Sequence, residues 1–140
     1  MDLHSKMIKG YEIEETMHTQ LIASALEKAM RRDPKLAGSI LHSDRGCQYT
    51  SSQYLEKLTD YQLQVSMSAK GNCYDNAAME SFWATLKTEA FPESGVIESK
   101  EDARQAIFEY IEGYYHTQRM HSSLNYLTSL TAEMTANLAA

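Results

Sequence analysis

Apolar positions along the chain recur with two different periods, and the switches between them mark the elements. Leu21, Ile22, Ala25, Leu26, Ala29 and Met30 form one stripe at helical spacing, which Pro34 ends. Residues 61–67 alternate instead, with Tyr61, Leu63, Val65 and Met67 separated by Gln62, Gln64 and Ser66, the pattern of a half-buried strand near a sheet edge. Two further strands are predicted, one over Met7–Ile13 and a short one over Ser39–His42 centred on Ile40 and Leu41.

Helical spacing returns in the second half. Thr50 and Gln53 fit a capping box ahead of a short helix that buries Tyr54, Leu55 and Leu58. Asp75 or Asn76 can cap a helix that buries Met79, Phe82, Trp83, Leu86 and Ala90 and stops at Pro92. Ser99 and Asp102 open another, which packs Ala103, Ala106, Ile107, Tyr110, Ile111 and Tyr114 inward. The tail from His116 ends in an Ala-rich helical segment. Strands alternating with helices predict one compact α/β domain with part of its sheet parallel. Three strands make a small sheet for this much helix.

Composition narrows the function classes. At 140 residues and 43% hydrophobic content the chain can bury a core, and Cys47 and Cys73 are too few for a disulfide framework. No run approaches the ~18 apolar residues of a membrane span, and MDLHSKMIKG lacks a signal-peptide core, so a cytoplasmic protein is expected. A zinc site from His42, Cys47 and Cys73 finds no supporting CxxC or HxxxH spacing. The net charge of −6 argues against a strongly nucleic-acid-binding domain. The excess acid lies late in the chain, on the helix after Ser99, where a solvated face accounts for it.

Asp44 stands in the loop just past the Ser39–His42 strand, and Glu80 one turn into a helix, with 35 residues between them. That spacing alone is weak, since about half a match is expected by chance from the Asp and Glu content. Position strengthens it. A carboxylate past the carboxyl end of a parallel strand lies where α/β folds gather ligand groups, and paired carboxylates suit Mg²⁺ or Mn²⁺. The bland alternatives are an Asx turn for Asp44 and a solvated helix position for Glu80. Lys87, seven residues after Glu80, lies about 20° around and about 10 Å along the same helix face.

HSDRGCQYTS at 42–51, GNCYDNAAMESFWATLKTE at 71–89 and YYHTQRMHSSLNY at 114–126 resemble the integrase-core (DDE) transposases of bacterial insertion sequences, in order and over almost the whole chain. The resemblance implies a ribonuclease H-like, retroviral-integrase-like α/β core lacking its first strand or two, over residues 1–131, with a tail at 132–140. It implies that Asp44 and Glu80 are the second and third acids holding Mg²⁺ or Mn²⁺, and that Lys87 holds DNA phosphate. Lys70 and Arg45 border the same inferred crevice, and Arg119 and His121 lie in a stretch, 113–132, without an acidic residue; all four are candidate phosphate contacts. Trp83 and Tyr74 are conceivable base-stacking groups, but Trp83 falls on the apolar stripe and is expected in the core.

Two departures matter. The family's first acid lies in a T-D-x-T-Y motif that this sequence lacks; MDLHSKMIK resembles the later D-L-x-S-R segment, which makes Asp2 noncatalytic. The T-P that usually follows the last motif is replaced by Leu127 and Thr128. The expectation is a fragment of a Mg²⁺-dependent DNA nicking and strand-transfer core, inactive by itself for want of one acid. The alternative is a non-enzymatic module that binds DNA or full-length transposase, or self-associates.

Overall fold

A computed structural model describes residues 1–69, 73–92 and 97–139. The chain divides into two compact units, residues 9–77 and residues 1–8 with 78–140.

In the first unit the apolar stripe forms α1 (Thr19–Arg32), ended by a 3₁₀ turn over Pro34–Leu36. Next come β1 (Ile40–Ser43), α2 (Ser52–Asp60) and β2 (Gln64–Met67). β1 and β2 pair in parallel, Ile40 opposite Gln64 and Ser43 opposite Met67. The two helices close on a core of Ala23, Leu26, Met30, Tyr54 and Leu58, and a Lys57–Glu27 ion pair ties α2 to α1. The N-cap of α2 is Ser51, whose hydroxyl accepts from Tyr54 N–H, so the capping box expected from Thr50 and Gln53 lies one residue off. β2 starts later than its alternation suggests, because Tyr61 closes α2 and Gln62 takes a left-handed φ of 58°.

The strand expected over Met7–Ile13 is not found; this segment joins neither ladder among the described residues. Its backbone lies side-on against α1 instead. A Cβ on Gly10 would stand 2.4 Å from the Ala25 carbonyl oxygen and 2.6 Å from the Ala29 nitrogen, an approach only glycine permits. Lys9, buried, reaches Asp33 at the end of α1 at 2.8 Å.

The second unit holds α3 (Ala77–Glu89), α4 (Lys100–Phe108), a hairpin of β3 (Met120–His121) and β4 (Leu127–Thr128), and α5 (Ser129–Ala139). The expected cap of α4 is present: Ser99 Oγ accepts from Asp102 N–H at 3.0 Å and lies 2.7 Å from Asp102 Oδ2. α4 then widens into a π-helical stretch over Glu109–Tyr115, where His116 N–H bonds the Ile111 carbonyl five residues back. That extra residue shifts the inward face. With ordinary α-spacing Tyr114 would follow Tyr110 into the core; instead Tyr115 is 4% exposed and Tyr114 is 43% exposed. Tyr115 packs edge-on against Phe82 of α3, ring centroids 5.2 Å apart, and against His121 at 5.0 Å.

The N-terminal residues belong to this unit through His116, whose Nε2 accepts from Ile8 N–H at 3.0 Å. The imidazole proton is therefore on Nδ1, 3.4 Å from Glu112 Oε2. Asp2 is used up locally, accepting from His4 N–H at 2.9 Å and Ser5 Oγ at 2.7 Å, in keeping with a structural position.

The π register makes a contrast between neighbours. Tyr115→Ala should lower unfolding stability by about 3 kcal/mol, and Tyr114→Ala by under about 1 kcal/mol. Chemical denaturation of the two variants checks this, and equal losses would contradict the register.

Candidate functional site

Asp44 follows β1 directly, at the carboxyl end of a parallel strand. Its Oδ1 accepts from Gly46 N–H at 2.9 Å, so the Asx turn expected of such a residue does form. The side chain is nevertheless exposed. Arg45 beside it donates from Nε to the Ser68 carbonyl at 2.9 Å, fastening this loop to the end of β2. His42, on β1, sets Nδ1 2.9 Å from Ser66 Oγ and Nε2 3.1 Å from Ser68 Oγ. Both ring nitrogens are occupied by β2 and its following residue, which leaves none for zinc. Cys47 is exposed.

Glu80 and Lys87 occupy one exposed flank of α3, while Phe82 and Leu86 face the core. Trp83, three residues after Glu80 and four before Lys87, is 49% exposed, so its expected place in the core is overturned. The buried stripe of this helix is only Phe82 and Leu86 wide, and one 100° step carries Trp83 out of it onto the Glu80 flank. An exposed aromatic beside the candidate acid was missed because an apolar residue was assigned to the nearest apolar stripe. Asp75, offered as a helix cap, accepts from Ala69 N–H at 3.0 Å. Lys70 and the side chain of Tyr74 lie outside the described residues.

Arg119 and His121 have internal partners. Arg119 Nε and one terminal nitrogen grip both oxygens of Glu89, at 2.9–3.2 Å, at the last turn of α3. Tyr110 donates to the same carboxylate at 2.9 Å, and the guanidinium lies over the Tyr115 ring, 5.9 Å from its centroid. Arg119, followed by the Tyr110 hydroxyl, holds the Glu89 carboxyl below the usual carboxylate range. His121 is buried, its Nε2 3.3 Å from Ser129 Oγ. Burial first, then the positive charges of Arg119 and Lys6, push its pKa below the ordinary imidazole value.

Asp44 and Glu80 belong to different units. Among the described residues no group of three His, Cys, Asp or Glu is disposed to hold a metal ion. The donors themselves fit a hard cation: two exposed carboxylates, one with a single oxygen engaged by Gly46, in a class of site where Mg²⁺ takes one or two carboxylates and fills its other positions with water and phosphate.

Comparison with known proteins decides the family. The integrase core domain profile matches residues 1–73, and a second integrase core domain profile matches residues 61–128. The chain belongs to the integrase core family. It is 44% identical over 126 residues to the transposase for insertion sequence element IS904 of Lactococcus lactis, covering 90% of this chain and 49% of that protein. It is 44% identical over 123 residues to a 31 kDa protein of insertion element IS600 of Shigella sonnei, covering 88% and 45%, and 42% identical over 122 residues to transposase InsF of insertion sequence IS3A of Escherichia coli, covering 87% and 42%. The chain spans about half the length of the curated relatives it matches. A cryo-electron microscopy structure of the simian T-cell lymphotropic virus intasome, in complex with a PP2A regulatory subunit, matches with a TM-score of 0.65 at 15% identity, over 85% of this chain and 41% of that one. The integrase core fold expected from the motifs is thus present, as a mixed α/β chain with few strands.

Acid should weaken this fold through two groups. His121 titrates lower when folded, so the stability it contributes is full above the unfolded imidazole value of 6.5 and is lost as pH falls through the folded value. Glu89 likewise contributes above the carboxylate value of 4.5 and loses that contribution as pH falls through its depressed folded value. In denaturation curves from pH 8 to 3, His121→Gln should flatten the upper window and Arg119→Met the lower one. An unchanged slope in the matching window would contradict the assignment.

Proposed function

We propose that this chain forms part of a DDE-type transposase catalytic core, residues 1–131 with a short tail at 132–140, acting in the cytoplasm on DNA. Asp44 and Glu80 are the acids that hold Mg²⁺ or Mn²⁺. The observation that carries the reading is the placement of Asp44: exposed, directly past the carboxyl end of a parallel strand, within a family of integrase cores. Bound there, the metal would supply Lewis-acid activation of an oxygen nucleophile and charge neutralisation at the phosphate. The protein's own part is positional. Gly46 N–H orients Asp44, Arg45 braces its loop on Ser68, and α3 presents Glu80, Trp83 and Lys87 on one flank.

Lys87 is the phosphate contact this geometry favours, an exposed cation on the Glu80 flank. Arg45 is a second, with Nε spent on Ser68 and its terminal nitrogens beyond. Lys70 remains a candidate by its place in the sequence. Arg119 and His121 serve in this reading to hold α3 and the hairpin, with any phosphate contact left to the remaining edge of the Arg119 guanidinium. In this reading Asp44 and Glu80 are two of the family's three metal-holding acids, and metal held by these two alone is bound weakly. Among the described residues no helix is long and apolar enough to cross a membrane.

A second reading, association with another copy or with full-length transposase, draws on the exposed apolar side chains of α5, where Leu138 is 90% exposed and Met134 is also exposed.

Calorimetric titration with Mn²⁺ should show weak uptake that Asp44→Asn abolishes, and Lys87→Ala should reduce the salt dependence of duplex binding by roughly one counterion. Uptake unchanged in Asp44→Asn would overturn the site.

A further inference from the structure

A groove of about 450 Å³ opens between the N-terminal turn, α3 and the β3–β4 hairpin, all within one unit. Its volume falls in the range of small-ligand sites, roughly 300–1,000 Å³. Lys6 and Arg119 line it together with the hydroxyls of Ser81, Ser122 and Ser123, and among the described residues no carboxylate does. Glu89 is bound to Arg119 through Nε and one terminal nitrogen, which partly neutralises that guanidinium and leaves Lys6 as the second cation of the groove. Lys6 Nζ is tethered to the Leu3 carbonyl at 2.8 Å, which fixes that charge in place. His121 in the groove wall titrates below the ordinary imidazole value, through burial first and then the positive charges of Arg119 and Lys6.

Tyr126 stands at the rim, 70% exposed. Asn125 and Tyr126 both take left-handed φ, 54° and 62°, and Tyr126 N–H bonds the His121 carbonyl at 2.9 Å, so the hairpin turn holds the ring outward. Lys6 is left-handed as well, at 61°. Strain of this kind, of order 1–3 kcal/mol per residue, gathers at ligand sites. The α3 residues in the wall, Ala78, Ser81, Phe82 and Thr85, lie about 100–200° around the helix from Glu80, on a different flank from Lys87. The groove is therefore separate from the proposed acid site.

We infer that this groove binds one strand of unpaired nucleic acid, with a phosphodiester against Lys6, Arg119 and the serine hydroxyls and an unstacked base on Tyr126. Base–aromatic stacking tolerates any base, and a fixed ammonium with hydroxyl donors suits a phosphate that the serines can follow along a strand. Duplex DNA keeps its bases stacked and offers Tyr126 nothing to receive. The inference deepens the DNA reading above and rests on it for the presence of DNA. Its site and its preferred strand state are its own.

The test is fluorescence anisotropy with a single-stranded oligothymidylate and, separately, a blunt duplex of the same length. Tyr126→Ala should weaken single-strand binding by about fivefold to tenfold, and Lys6→Gln should lower its salt slope by about 0.7. Neither should change duplex binding, and Tyr126→Phe and Lys6→Arg should keep wild-type affinity. Thermal melting separates folding defects from lost contacts. Single-strand binding that is unaffected by Tyr126→Ala and Lys6→Gln, or absent, overturns the groove even where duplex binding through Lys87 survives. Duplex binding that is absent or indifferent to Lys87→Ala overturns the acid-site reading, and leaves the groove standing if the single-strand effects are found.

Discussion

The π-helical stretch over Glu109–Tyr115 sets the arrangement of the unit that carries α3. By adding a residue to the turn it puts Tyr110 and Tyr115 on one face, where their rings lie 5.8 Å apart. Tyr115 then meets Phe82 of α3, and Tyr110 reaches Glu89 at the end of the same helix. Arg119 closes the arrangement by gripping Glu89 from the far side. Two points thus fix α3, an aromatic contact near its middle and a charged clamp at its last turn. Because Glu80 and Lys87 ride on the exposed flank, with Trp83 between it and the buried stripe, their aim follows from this fixation. A helix with only two buried side chains, Phe82 and Leu86, would otherwise have little to hold its rotation.

A π-insertion costs hydrogen-bond geometry, and such turns occur mainly at functional sites. Here its yield is visible in the partners it makes possible: the buried Tyr110 hydroxyl and the partly exposed Arg119 both bond the Glu89 carboxylate, so each group has a mate. Buried polar groups without partners would cost on the order of 1–3 kcal/mol each. The same face of the stretch engages His116, which takes the Ile8 N–H and so secures the N-terminal turn that carries Lys6.

Periodicity made α1, α2, α3 and α4 legible in the sequence, along with β1, β2 and the Ser99 cap, because those elements depend on neighbours a few residues away. What escaped depended on events the period does not encode. Tyr114 was assigned inward because the pattern presumes 3.6 residues per turn up to the end of the helix, and the π-turn breaks that count. Met7–Ile13 read as a strand because its composition is strand-like, whereas the glycine in its middle marks a backbone pressed against α1. Trp83 read as core because hydrophobicity does not say how wide a buried stripe is. For the candidate site, motif context rather than spacing singles out Asp44 and Glu80, and the strand end beside Asp44 is visible in the sequence. The partnership of Arg119 with Glu89 was not, since thirty positions separate them and only the tertiary fold brings them together.

The acidic balance, −6 overall, bears on how such a chain can work with a polyanion. Several acids are spent on bases within the fold: Glu12 on Lys28, Glu27 on Lys57, Asp33 on Lys9 and Glu89 on Arg119. These pairs remove as much positive charge as negative, so they do not alter the net repulsion. They do confine it. Beyond a Debye length of about 8 Å at physiological salt the surplus acid late in the chain is screened, and contact depends on the charges close to the phosphate. Under the proposed function, Lys87 and Arg45, and Lys6 under the proposed groove, would each carry a large share of the local attraction. A protein so arranged gains little from long-range steering and much from placement. That is the regime in which the rigid mounting of α3 and of the hairpin matters most.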